Sequence, residues 1–139
     1  MSRGLRNNNP GNIRRGGGHF KGERLPSLDP AFKQFETIEW GYRAMFVLLD
    51  NYRRRHGLQR IREMIRRWAP PIENDTERYI RFVARAASLD PDQPIDTRNR
   101  RVMIPIVAAM SRIENGVPAR LTEVEGGWQL FLKDKKGCP

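Results

Sequence analysis

Six apolar residues set the frame for this chain. Ile38, Tyr42, Met45, Phe46, Leu49 and Tyr52 recur at i, i+4, i+7, i+8, i+11 and i+14. On a backbone of 3.6 residues per turn these positions form one stripe, so the spacing predicts a long amphipathic helix that other elements must cover. Thr37 stands where an N-cap is needed, and Glu36 and Glu39 put negative charge near the helix start. The run Arg53-Arg54-Arg55-His56, followed by Gly57, marks its end.

The covering elements read as further helices. Ile61, Met64, Ile65 and Trp68 share a face and predict a helix over residues 58–68, stopped by Pro70-Pro71. Asn74-Asp75-Thr76-Glu77 has the pattern of a capping box, with Glu77 three residues after Asn74, and a third helix follows through Tyr79, Ile80, Val83 and Ala87. Val102, Ile106, Met110 and Ile113 form the stripe of a fourth over residues 98–114. Pro105 requires that this helix start just before it or kink there. Gly116 suits the C′ position and Pro118 bars continuation. A last short helix is expected over residues 122–132 around Trp128, weakened by Gly126-Gly127, with residues 133–139 as a frayed tail.

Residues 6–20, R-N-N-N-P-G-N-I-R-R-G-G-G-H-F, read differently. Asn and Gly tolerate left-handed backbone and Pro fixes its own φ, so residues 7–11 predict a tight turn. Ile13 begins an extended segment, Gly16 to Gly18 turn again, and His19-Phe20 return as the partner strand. Residues 21–30 contain two prolines and read as loop. The expected fold is therefore mainly α (α+β), one domain of 139 residues. Residues 1–35 would form a small β-hairpin and loop lobe, and residues 36–132 a helical body.

With 26 Lys and Arg against 16 Asp and Glu, the net charge is +10. Such an excess favours a polyanionic partner: nucleic acid, an anionic membrane or the acidic bacterial cell wall. Arg60, Arg62, Arg66 and Arg67 suit either phosphate binding or a solvated face with local ion pairs, and Glu63 is spaced to pair with Arg66 or Arg67. One cysteine, Cys138, and two histidines, His19 and His56, argue against a disulfide framework, a zinc site or a His-activated nucleophile. No cofactor and no metal are expected. The N-terminus lacks the apolar core of a signal peptide, and no run approaches the roughly 20 apolar residues of a membrane span, so synthesis in the cytoplasm is expected.

Carboxylates remain as the candidate chemistry. Glu114 ends an apolar helix, where burial would raise its pKa as a general acid requires. By position alone an exposed helix-end residue is the favoured reading. Glu73 reads as a helix-dipole charge or a second acid, and Glu23 and Asp29 as loop charges or a carboxylate facing the first across a cleft. Asn-rich turns also suit a polar, sugar-like ligand.

N-N-N-P-G-N-I-R, F-E-T-I-E-W-G-Y-R-A and R-W-A-P-P-I-E-N-D-T-E-R-Y-I together resemble small phage and prophage proteins of virions or lysis. Their order resembles the lysozyme superfamily, in particular bacterial N-acetylglucosaminidases, over roughly residues 7–83. Residues 8–14 are similar to that family's N-N-L-F-G-I-K hairpin, residues 32–42 to its F-x-x-Y/F-x-S-x-x-E-S helix start, and residues 68–79 to its Y-A-T-D-P-x-Y segment. The family's catalytic Glu lies on a helix before the hairpin, in A-x-x-E-S-G. Here that helix is missing, but V-A-A-M-S-R-I-E-N-G at residues 107–116 is similar to it. The resemblance thus implies a circularly permuted, lysozyme-like domain with Glu114 as acid, in a cleft shared with residues 7–13. It further implies cleavage of peptidoglycan glycan strands of lysozyme, glucosaminidase or lytic transglycosylase type. Glu23 or Glu73 would be the second carboxylate, and Asn8, Asn9, Asn12, Tyr79 and Asn115 would contact sugar. Expected partners are the cell wall and other virion proteins, and the site of action the wall or the virion. The competing expectation is a non-catalytic phage structural or nucleic-acid-binding module, with nucleic acid as the polyanion.

Overall fold

The computed structural model describes residues 1–72 and 74–136, with helix α1 (Arg3–Arg6), strands β1 (Glu23–Arg24) and β2 (Gln34–Phe35), and helices α2 (Ile38–His56), α3 (Ile61–Trp68), α4 (Thr76–Ala87), α5 (Arg100–Asn115) and α6 (Leu121–Lys136). The protein is mainly α, with one small antiparallel sheet that pairs Glu23 with Phe35 and Arg24 with Gln34. Glu73 and Cys138 lie outside the described residues.

Helix α2 follows the sequence pattern closely. The Thr37 side chain accepts from Trp40 N at its start, and Gly57 ends it in the left-handed region at φ 67°. Tyr42, Met45, Phe46 and Leu49 are buried along its stripe. Against them pack Met64 and Ile65 of α3, Ile80 and Val83 of α4, Met103 and Met110 of α5, and Val124, Trp128 and Phe131 of α6. The Trp128 ring meets Phe46 edge-on at 5.0 Å and Phe131 at 5.2 Å. A buried hydrogen bond of 2.9 Å between the Tyr42 and Ser111 hydroxyls joins α2 to α5. Asp50, also buried, accepts from Thr97 Oγ1 at 2.8 Å and pairs with Arg98 and Arg54, which ties the 95–99 loop to α2.

The remaining boundaries move for identifiable reasons. Helix α3 starts at Ile61 rather than Leu58, because Gln59 and Arg60 are extended alongside residues 94–95, with Ile95 N donating to Gln59 O at 2.8 Å. Asp75, not Asn74, caps α4 by accepting from Arg78 N, while the Asn74 amide donates to Pro70 O. Helix α5 begins five residues before Pro105 and runs through it. Helix α6 is longer than expected, and its two glycines are a packing device: a Cβ on Gly127 would lie 2.5 Å from Tyr42 Cβ and 2.8 Å from Arg43 N on α2.

The largest local difference is in the N-terminal lobe. Residues 13–15 do extend, but they pair with residues 31–33 rather than with His19-Phe20: Lys33 N donates to Ile13 O and Arg15 N to Ala31 O. Two side chains enforce this. Asn9, fully buried, donates to both Ile13 O and Lys33 O and accepts from Ile13 N. Asp29 turns the chain back by accepting from Ala31 N and Phe32 N, and is itself gripped by Arg3 in two bonds of 2.7 Å and by Asn7 at 3.0 Å. The Arg3 guanidinium first, then the amides, holds the Asp29 carboxyl well below its usual range. A depressed folded-state pKa gives stability above the unfolded value that is lost as pH falls below about 4. Asp29→Asn should therefore lower stability at neutral pH and flatten its acid dependence, which acid titration followed by thermal melts checks.

Candidate active site

The last turn of α5 brings Glu114 beside the N-terminal turn, across 102 residues of sequence. Asn12 occupies a left-handed conformation, φ 50°, that Asn tolerates. There its side-chain nitrogen donates to Glu114 Oε1 at 3.0 Å. Tyr79, buried on α4, donates its hydroxyl to Glu114 Oε2 at 3.0 Å. The Trp68 indole is a third hydrogen-bonding neighbour of the carboxyl. Burial pushes the Glu114 pKa up, and the bonds from Asn12, Tyr79 and Trp68 pull it partly back. The net shift is upward. The Tyr79 phenol is raised well above its ordinary value by burial and by the Glu114 charge, so it remains a proton-bearing donor at neutral pH.

Glu114 lines a cleft of about 370 Å³ whose walls include Asn12, Arg14, Phe32, Trp68 and Asn74. Gly11 lets the turn approach this wall, since a Cβ there would stand 2.8 Å from the Trp68 ring and 2.9 Å from Met45 Cγ. A second pocket of about 400 Å³ adjoins it: Asn74 lines both, and Tyr79 lines the second while its hydroxyl bonds Glu114. The two meet at Asn74, with the half-buried Glu114 carboxyl among aromatic, amide and arginine side chains. That arrangement can deliver a proton to a bound ether or acetal oxygen, and the two donors can hold the carboxylate left behind.

The structure gathers Glu114, Asn12 and Tyr79 and places the other described candidates elsewhere, Glu73 lying outside the described residues. Glu23 lines a separate pocket, where its carboxylate pairs with Lys33 Nζ at 2.8 Å and lies 3.5 Å from His19 Nδ1. Asn8 donates to Phe35 O, and buried Asn9 holds the lobe as described. Asn115 points away from the cleft, donating to Pro10 O and Ser111 O and accepting from the Ser2 hydroxyl, and so fastens the N-terminus to α5. Asp29 serves the lobe. Trp68, Phe32, Arg14 and Asn74 are cleft residues that sequence reasoning did not assign. The available clue was an aromatic residue at a helix end before Pro-Pro, where a stripe residue is half exposed and not buried.

The arginines of α3 are engaged. Arg62 pairs with Asp92 and Glu77, Arg66 with Glu77, and Arg67 stacks over the Tyr52 ring at 5.3 Å. Glu63 bonds back to Gln59 N and Arg60 at the helix start rather than forward to Arg66 or Arg67.

Fold and site together define a small helical protein that presents a half-buried acid in a surface cleft. No protein-family model matches the sequence. The chain is 40% identical over 132 residues to Protein P5 of Pseudoalteromonas phage PM2, a match that spans 92% of this chain and 81% of the relative. It belongs to the family of that phage protein. Among the described residues, no helix is long and apolar enough to cross a membrane.

Proposed function

We propose that this phage protein cleaves the glycan strands of peptidoglycan, with Glu114 as general acid. The observation that carries the reading is the Glu114 carboxyl itself, raised in pKa by burial and held by Asn12 and Tyr79 in a groove open to a polymer. In this reading residues 1–35 and 36–132 act as one domain, with the groove where the N-terminal turn meets α3 and α5. Trp68 and the edge of Phe32, whose ring lies under Arg3 and Arg14, are the aromatic groups available to sugar rings, and Asn12 and Asn74 offer amide groups to their hydroxyls. Glu114 protonates the glycosidic oxygen as the bond to the anomeric carbon breaks. The resulting carboxylate keeps the hydrogen bonds it already has, so little reorganisation is needed. The same carboxylate can then take the proton from the attacking oxygen, that of water or of an internal sugar hydroxyl.

The test is clearing of purified peptidoglycan with mass analysis of the products. Reducing ends indicate attack by water, and anhydro ends indicate attack by the internal hydroxyl. No clearing by a folded protein would remove the enzymatic reading and favour a structural role in the virion. Tyr79→Phe supplies a finer check. Loss of its hydroxyl removes one bond that stabilises the Glu114 anion, so the Glu114 pKa rises and the alkaline limb of the rate profile moves to higher pH. Turnover is expected to fall about tenfold, for the loss of one hydrogen bond to a charged group. An unmoved limb would detach Tyr79 from the acid.

A further inference from the structure

The pocket beside the Glu114 cleft has a chemistry of its own. Arg78 of α4 and Arg112 of α5 line it, and both are exposed. Among the described residues neither guanidinium is in an ion pair, in contrast to Arg62 and Arg66 of α3, which are matched by Asp92 and Glu77. The one carboxylate lining the pocket among the described residues, Asp75, is committed to the N-terminus of α4 through Arg78 N at 3.1 Å. Between the arginines lie Phe82 and Ile113, apolar side chains left 39% and 37% exposed. Beyond Phe82, a smaller pocket continues along α4 between Arg81 and Arg85, which share the Arg78 face at i+3 and i+7 and are likewise unpaired among the described residues. The surface is thus basic with an apolar floor, and it adjoins the cleft: Asn74 lines both, and Tyr79 of this pocket bonds Glu114 of the other.

From this juxtaposition we infer that the Arg78–Arg112 pocket binds an acidic peptide carried as a branch on the glycan whose backbone lies in the Glu114 cleft. The inference rests on the glycosidase reading. A neutral sugar backbone would leave two uncompensated guanidiniums in the groove. A carboxylate-bearing peptide branch matches their planar, bidentate donors, and its aliphatic parts match Phe82 and Ile113. Charge complementarity in a pocket that adjoins the cleft at Asn74 also fixes register: the branch in one pocket decides which glycosidic oxygen meets Glu114. The protein would therefore prefer peptide-bearing glycan to bare glycan.

The experiment measures binding by calorimetry for three soluble ligands: a peptide-free oligosaccharide, the same sugar bearing an acidic tripeptide, and that conjugate with its carboxylates amidated. Wild type and Arg78→Gln/Arg112→Gln are compared, with circular dichroism and melting temperature confirming that the variant folds. The acidic conjugate should bind wild type about tenfold more tightly than the bare sugar, a factor that two charge-assisted contacts readily supply. The gain should vanish on amidation and in the double variant, and shrink with added salt, while affinity for bare sugar stays unchanged. Equal wild-type affinity for conjugate and bare sugar, or a gain that survives the double substitution, would overturn the inference without touching cleavage. Displacement of the conjugate by DNA at lower concentration than by free acidic peptide would also overturn it, in favour of a phosphate polymer. Arginine-dependent binding of the free acidic peptide, with no cleavage of any glycan, would keep the pocket and remove the glycosidase reading instead.

Discussion

Glu114→Gln is expected to abolish clearing of purified peptidoglycan, with turnover lowered about a thousandfold, the middle of the range that a positioned general acid supplies. The substitution is nearly isosteric. Its side-chain oxygen can still accept from Asn12 or Tyr79, so the fold and groove should survive, and glycan binding should change far less than turnover. The pH profile gives the second signature. In the wild type the rate should fall on the alkaline side as Glu114 loses its proton, at a pH above that of an ordinary glutamic acid because burial raises its pKa. The residual activity of the variant should lack that limb. If Glu114→Gln clears as well as wild type, the acid lies elsewhere, and Glu23→Gln and Glu73→Gln become the variants to compare.

The parts of this fold that could be read in sequence are those in which one local force acts alone. Helix α2 has a cap, a stripe and a terminal glycine in agreement, and its span follows from them. Glu114 could be raised as a candidate because it ends an apolar run, although position alone favours an exposed helix-end residue. The N-terminal lobe was harder. Turn chemistry places bends at residues 7–11 and 16–18, but the strand partner was decided by Asn9 and Asp29, whose bonds reach Lys33, Arg3, Ala31 and Phe32. Nothing local distinguishes an asparagine that binds sugar from one that binds backbone. Asn8, Asn9 and Asn115 were expected to contact sugar; their side chains bond within the fold, and of these candidate asparagines Asn12 is the one bonded to Glu114 among the described residues. Trp68 shows the opposite: it packs against the core with its stripe, yet it also sits where α3 ends and lines the cleft there, which the stripe alone does not reveal. The α3 arginines depended on Glu77 and Asp92, acids from other segments that sequence spacing does not bring near.

Gly126-Gly127 is the clearest case of a signal whose sign depends on tertiary structure, and it carries the largest stability prediction. In an isolated helix each glycine costs about 1 kcal/mol relative to alanine. Against α2 the two are unequal. A Cβ at Gly126 would meet chiefly the Glu39 side chain, at 2.7 Å from Cγ, and that chain can change rotamer. Gly126→Ala should therefore lie within about 0.5 kcal/mol of wild type, propensity offsetting the displaced side chain. A Cβ at Gly127 would meet Tyr42 Cβ at 2.5 Å, Arg43 N at 2.8 Å and Glu39 O at 3.0 Å, groups that move only if the two helices separate. Separation would loosen Phe46, Trp128 and Phe131, which are packed ring to ring beside the crossing. Gly127→Val adds a branched side chain at that point and should cost about 3 kcal/mol, lowering the melting temperature by roughly 10 °C. Equal melts for Gly126→Ala and Gly127→Val would mean that α2 and α6 do not cross this closely. Lys21 and Arg43 both pair with Asp134 on α6, so the N-terminal lobe leans on the same crossing. A helix pushed outward at Gly127 should therefore loosen the support of that lobe, and with it the turn that presents Asn12 to Glu114.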